Sequence, residues 1–475
     1  MPDGYGVDHN WHKWNIFWEL PYWKDLLLGH NLDVMHIEKN FFDNFIVTLL
    51  NVQGKTKDSR RSRLDLAEIC ARIDLHIRRD GKLPVPQFRL SAEAKKVLFE
   101  WVKSEVKFPD GFVSKFSRCV EQGQKFSGMK SHDCHVFMQR LLPFVFLELL
   151  PTHVHEAITG KAKNLARVEG SIVVGSLTEE TSHFTSYYFS PTVRTKKTRT
   201  RRYDDGGVAP TYNVSDVPDI FAQIGRLAGK LKEVWWEDHS YCRTAHNYIL
   251  RNLDYVQPFE RLFEMQIRET YPNFEESDYE AYKERDFANL LKYYVQNGCG
   301  NEPLPLWLHE LVQEPRAKIT TAPMYFTCGY TFHMYAHRSC KATENYGIYV
   351  QARDSDFYGV LQQILEVDYP GLLNLRCVLF KCNWYDPSAR SVRVNNWGVV
   401  DVNANRSYPK FDPFIRASQA QQVSFLSYPR LRPRREMWLS VIKVNPRDRI
   451  IGLVDDQVML QQENVGEISI PNIST

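Results

Sequence analysis

Apolar residues recur at helical spacing through most of the first 300 positions of the chain and in short, closely spaced runs through the last third. Ile37, Phe41, Phe42, Phe45, Ile46, Leu49 and Leu50 share one helical face, which predicts a largely buried helix after Asp33. Amphipathic helices follow at Leu64–Ile77 and at Ser91–Val106, the second with Ser91 as its N-cap. A further helix is expected from His132 to Leu150, polar at its entry and apolar in its later half. Ile220–Tyr255 and Tyr279–Gln296 again carry a helical pattern, and Asn297, Gly298, Gly300 and Asn301 break it.

From about Met324 the pattern changes to β-rich runs separated by turn formers: Tyr346–Val350, Phe357–Tyr369, Cys377–Trp384, Val392–Val402, Val423–Tyr428 and Trp438–Val444. The resulting expectation is an α+β chain, a mainly helical region to about residue 310 followed by a small antiparallel β-barrel-like domain over 324–447. A polar tail occupies 448–475. Between Ser190 and Pro210 the chain reads as an exposed linker, where Arg194, Lys196, Lys197, Arg199, Arg201 and Arg202 alternate with threonines.

Composition changes this picture little. The 475 residues are 43% apolar and 13% aromatic, enough for two to four domains with cores of their own. A net charge of +3, from 60 basic and 57 acidic residues, gives no global field that commits the chain to nucleic acid or to an anionic membrane, so any basic surface is local. Nine cysteines without C-x-x-C pairs read as reduced thiols of an intracellular protein, and no run approaches the roughly 20 apolar residues of a membrane span. The absence of a signal pattern at Met1–Asn10 fits the same expectation.

Three groups of residues have chemical potential. His132, Cys134 and His135 carry metal-ligating atoms, but zinc takes four ligands in a tetrahedron and no fourth is fixed by spacing, so a buried polar helix entry explains them as well. The run Arg194–Arg202 reads as a phosphate-contacting arm or nuclear-import signal, or as a solvated linker of the same composition. The four arginines Arg430, Arg432, Arg434 and Arg435 have the same two readings, and neither basic run interleaves the aromatics that a single-strand binder stacks on. Trp384, Tyr385, Trp397, Tyr408 and Trp438 read either as core or as the lining of an aromatic groove.

Longer strings carry a family resemblance. His9-Asn10-Trp11, Ile16 to Lys24 and His30 to Asn40 resemble the end of the catalytic region of plant CACTA-type (En/Spm-like) transposases, over residues 1–60. The resemblance continues through Gly54 to Asp58, and Lys130 to Val136 with Leu141-Leu142-Pro143 resemble a helical transposon-associated domain, taken here as 61–310. Phe357 to Leu361, Val378 to Pro387 and Asp412 to Ile415 resemble a second, β-rich one. Relative to that family, a block between Pro151 and Lys161 looks deleted, which is expected to expose apolar helix faces and favour self-association.

The resemblance implies a ribonuclease-H-type nuclease, in which three carboxylates hold two divalent ions that activate water. The strands that carry two of those carboxylates lie before Met1 in the family, leaving Glu38, or less suitably Asp33, as a vestigial third; Asp33 also reads as a helix cap and Glu38 as an ordinary helical acid. The expectation is therefore a non-catalytic, transposase-derived nuclear protein that binds DNA or chromatin proteins, or a decayed remnant, without a cofactor and without membrane association. The alternatives are metal-dependent activity, with magnesium, in complex with a full-length transposase, and a protein-interaction module; a cytoplasmic location is the alternative to a nuclear one.

Overall fold

A computed structural model describes residues 34–446, apart from 70–71, 122–124, 163–216, 223–224, 272–274, 276–277, 299–302, 338–342, 353–354 and 432–436. Its first helix, α1 (Val34–Leu49), buries Phe42, Ile46 and Leu49, the stripe expected from the sequence. After α2 (Arg60–Ile69) comes α3 (Ala92–Ser104), where the Ser91 hydroxyl accepts from the Ala94 amide at 3.1 Å and supplies the cap. A minimal hairpin, β1 (Val120–Glu121) and β2 (Lys125–Phe126), precedes α4 (Ser131–Val136).

The single helix expected over His132–Leu150 is instead broken. After α4 the chain widens into a π turn, Phe137–Leu141, and then forms the one-turn α5 (Leu142–Val145). Pro143 explains the change, because it has no amide to donate into the helical ladder and its ring crowds the preceding turn. Beyond it, α6 (Thr152–Ala162) closes the first helical group. Phe42, Phe137, Phe144 and Phe146 fill the centre of this group, with Phe42 meeting Phe137 edge-on at 5.2 Å.

A second departure lies in the stretch read as helical from Ile220. Residues Arg226–Ala228 (β3) and Lys232–Trp235 (β4) are strands, and only from α7 (His239–Arg251), capped by the Asp238 carboxylate, does the chain turn helical. Gly225 and Gly229, at φ +158° and +86°, interrupt a helix here, while two later strands provide partners. Three more helices follow: α8 (Gln257–Thr270), α9 (Tyr279–Asn297) and α10 (Leu306–Leu311).

Strands then dominate: β5 (Lys318–Thr321), β6 (Met324–Thr327), β7 (Tyr330–His333), β8 (Gly347–Gln351), β9 (Asp356–Asp368), β10 (Arg376–Trp384), β11 (Val392–Val394), β12 (Val400–Asn403), β13 (Phe414–Arg416), β14 (Gln421–Ser427) and β15 (Trp438–Lys443). The run expected as one strand over Val392–Val402 is the β11–β12 hairpin. Asn395 closes its turn, its side-chain oxygen accepting from the amides of Trp397 and Val399.

The fold is mixed α+β with antiparallel sheets, none of which closes into a barrel among the described residues. The main sheet runs β11-β12-β15-β14-β8-β9-β10-β13, and β5 and β4 continue from the edge of β9. Its end strands β11 and β13 do not pair with each other, and both faces of the sheet are covered by other elements. On one face, Leu365, Val367, Cys377 and Leu379 pack against α7 to α10; on the other, Ile364, Val378 and Phe380 pack against the three-stranded sheet β3-β6-β7. The first helical group reaches the opposite end of the sheet, where Leu426, Tyr428 and Ile442 join its core and the Trp101 indole donates to the Ser427 carbonyl at 2.8 Å.

Candidate functional site

The candidates drawn from sequence do not assemble into one site. Asp33 lies outside the described residues; Glu38 lies on α1, with its side chain outside the description. The basic run Arg194, Lys196, Lys197, Arg199, Arg201 and Arg202 is outside as well, as are Arg432, Arg434 and Arg435. Arg430 is described, and it lies 3.7 Å from the Glu148 carboxylate and over the ring of Tyr428.

At the entry of α4, His132 donates from Nε2 to the Phe112 carbonyl at 2.9 Å, and its ring stacks beside that of His135. Cys134 faces the opposite way, fully buried, and burial pushes its thiol up to about 12. The neighbouring Asp133 is also buried, and its two oxygens accept from the amides of Ser114 and Lys130 at 2.9 Å each. No group of three ligating side chains suited to a metal ion occurs among the described residues.

The aromatic set is dispersed. Trp384 donates its indole N–H to Asp412, and Phe357 sits between it and Tyr408. Tyr385 packs on Phe425, and Trp438 lies under the Arg393 guanidinium at 4.1 Å. These contacts make Trp384, Tyr385, Tyr408 and Trp438 part of the packing of the sheet.

A different constellation emerges where the two sheets diverge. Residues 226–235 and 318–327 form one long antiparallel ribbon: β4 pairs with β5 in the main sheet, and β3 pairs with β6 in the small one. The ribbon is interrupted at Gly229–Leu231 opposite Ala322–Pro323. Pro323 cannot donate to a ladder, and Gly229, at φ +86°, lies so close that any added Cβ would run into the Pro323 ring. A cleft of about 650 Å³ opens at this break, within the roughly 300–1,000 Å³ typical of ligand pockets.

The floor of the cleft comes from β9 and β10. Their pairing shifts between Lys381 and Cys382, so that Gln362 is the extra residue of a β-bulge. Leu361 and Cys382 thereby stay in the core below, while Gln363 and Lys381 stand opposite each other on the face above. This is the face that Leu365 and Leu379 present to the helices; at the cleft it turns polar.

Glu237, from the β4–α7 connection, closes over the pair. It accepts from Gln363 Nε2 at 2.7 Å and from Lys381 Nζ at 2.8 Å, and these two donors hold its carboxyl below the usual range. The Lys381 ammonium also lies 3.9 Å from the centre of the Tyr241 ring. The side walls carry Trp235 and Trp236, the second anchored by its indole N–H to the Arg316 carbonyl at 3.1 Å.

Positive charge collects at the rim. Lys230 and Lys232 are exposed and make no ion pair within the described residues, and Lys318 lies over the Trp235 ring at 5.2 Å. Among the described residues Glu237 is the one carboxylate in the lining, and it is paired with Lys381.

Residues 365–441 match a family described as a domain of unknown function (DUF4216). The matched segment begins within β9 and ends within β15, so it contains Lys381 and Phe414 of the cleft, whereas Trp235, Glu237, Tyr241 and Gln363 come from outside it. The cleft is thus built jointly by the matched domain and the segment that packs on it. No curated protein and no solved structure matches the chain.

Sequence reasoning missed this site because it read residues 220–255 as helix. The usable signal was local: Lys230 and Lys232 are followed by Trp235 and Trp236, two cations and two aromatics within seven residues. Among the described residues, no helix is long and apolar enough to cross a membrane.

Proposed function

We propose that the chain is a transposase-derived protein that binds nucleic acid or chromatin partners in the nucleus without cutting. The long strings that resemble CACTA-type transposases support the origin. The observation that carries the binding role is the cleft at the ribbon break, whose lining brings the exposed Lys230 and Lys232 together with Trp235 and Trp236. Cations there attract phosphate, and the indole faces supply apolar contact that does not depend on sequence.

Phosphate binding through lysines releases counterions, so affinity should fall steeply with salt. The test is retention of the full chain on DNA across a salt series with magnesium present, compared with a Lys230→Glu/Lys232→Glu variant. Salt-sensitive binding without cleavage is expected, with a shallower slope for the variant, by about 0.9 per lost phosphate contact. Failure to bind DNA at low salt would overturn the nucleic-acid reading, and magnesium-dependent cleavage would overturn the non-catalytic one.

A further inference from the structure

Three features of the cleft define its ligand more closely than binding in general. First, the aromatic face best placed for a cation is already occupied: Lys381 sits on Tyr241, held there by Glu237. A cationic ligand such as a lysine-rich tail would have to displace a resident ammonium from its carboxylate, and it would meet Lys230 and Lys232 at the rim. The lining therefore selects an anion.

Second, the rings at the wall are arranged as platforms. Trp236 is fixed by its bond to the Arg316 carbonyl, and Trp235 is 66% exposed, a large apolar ring left open to solvent. One face of Trp235 carries the Lys318 ammonium, which leaves the other for a planar group. An acidic peptide would satisfy the lysines but offer nothing flat to stack on the indoles.

Third, the cleft is a concavity bounded by the ribbon break on one side and a bulged sheet on the other. The bases of a duplex are stacked on each other and cannot enter such a space, whereas an unpaired strand can turn a base onto a tryptophan while its phosphates follow the lysines.

We infer that the cleft binds single-stranded polynucleotide, with a base stacked on the exposed ring of Trp235 and the flanking phosphates on Lys230 and Lys232. This inference rests on the nucleic-acid reading proposed above and specifies its ligand. Trp235 and the two lysines are exposed, so their replacement leaves the core intact. The bulge-borne trio of Lys381, Gln363 and Glu237 positions the floor and is not itself required to touch the strand.

The test measures fluorescence anisotropy of labelled oligothymidylate, oligouridylate, a duplex of equal length and a polyglutamate peptide with the full chain. The series is repeated with Trp235→Ala, Trp235→Phe and Lys230→Glu/Lys232→Glu variants whose melting curves match the parent. The expected result is preference for the unpaired strands over the duplex. Trp235→Ala should weaken strand binding about 5- to 100-fold and Trp235→Phe much less, because a benzene ring still stacks. If oligouridylate exceeds oligothymidylate the strand is RNA, and the reverse makes it DNA; either supports the inference.

Duplex binding as strong as single-strand binding and unchanged by the cleft variants would overturn this inference while leaving nucleic-acid binding in place. Tighter binding of polyglutamate than of any oligonucleotide would replace the ligand class. No binding to any nucleic acid would remove the parent reading and this one together.

Discussion

Gln363 and Lys381 stand directly opposite each other on β9 and β10, and both side chains end on the same Glu237 carboxylate. A β-bulge at Gln362 makes this possible. In a regular strand Leu361 and Gln363, two residues apart, would share a face, so that keeping Leu361 in the core would turn Gln363 away from the cleft. One irregular residue thus allows a polar floor to be set into an apolar sheet face.

The Glu237 contacts predict a small effect with a defined pH dependence. Its carboxyl is held low by Lys381 and Gln363, so its contribution is fully present above the ordinary carboxylate pKa and is lost as pH falls through the lower, folded value. The side chain is 55% exposed, which limits the gain to about 0.2–1 kcal/mol through screening. Glu237→Gln should therefore cost less than about 1 kcal/mol in urea denaturation at neutral pH. The difference from the parent should shrink on acidification, and a difference that stays constant into strong acid would show that the ion pair contributes nothing.

A larger effect is expected at the turn joining β9 to β10. Glu310, on α10, is 7% exposed, and its carboxylate accepts from the amides of Leu372 (2.6 Å) and Leu373 (3.1 Å), tying the helix to the turn. Gly371 lies so close that an added Cβ would strike the Glu310 side chain. Glu310→Ala strands two amide donors and should cost about 1–3 kcal/mol. Gly371→Ala should also destabilise, but by less in the Glu310→Ala background, where the obstruction is gone. Denaturant titrations of both single variants and the double would measure that coupling, and strict additivity would contradict the contact.

What the sequence made legible follows from how local each determinant is. The cap at Ser91, the helix α9 and the strands β8, β9 and β10 fall within a residue or two of their expected positions, because periodicity and end signals lie inside each segment. Helix α8 went unread although Phe259, Phe263 and Ile267 form a clean buried stripe. Pro258, which looks like a breaker, here occupies the first turn, where no amide is needed.

The ribbon β3–β4 was hidden for a different reason. Its strand character depends on partners about 90 residues later, so nothing between Arg226 and Trp235 declares it. The cleft is less local still, since its lining comes from segments between Gly229 and Phe414. Individual residues were readable, but their convergence on Glu237 required the bulge and the ribbon break, and neither has a periodic signature.

The most pH-sensitive element of the core should be His246 on α7. Its ring is 3% exposed, its Nδ1 lies 3.0 Å from the Tyr369 hydroxyl, and burial pushes its pKa from 6.5 down to about 4. The folded state therefore keeps this imidazole neutral over a range in which the unfolded chain binds a proton. By linkage, stability rises with pH through that window and is lost as pH falls from about 6.5 towards 4. At 1.36 kcal/mol per pKa unit the loss is on the order of 3 kcal/mol. His246→Gln keeps a hydrogen-bonding group near Tyr369 but cannot take up the proton, so it should cost stability at neutral pH and flatten the acid limb. Urea denaturation of both proteins at several pH values between these limits provides the check. Parallel curves would mean that His246 does not titrate differently on folding and that the acid sensitivity of the core lies elsewhere.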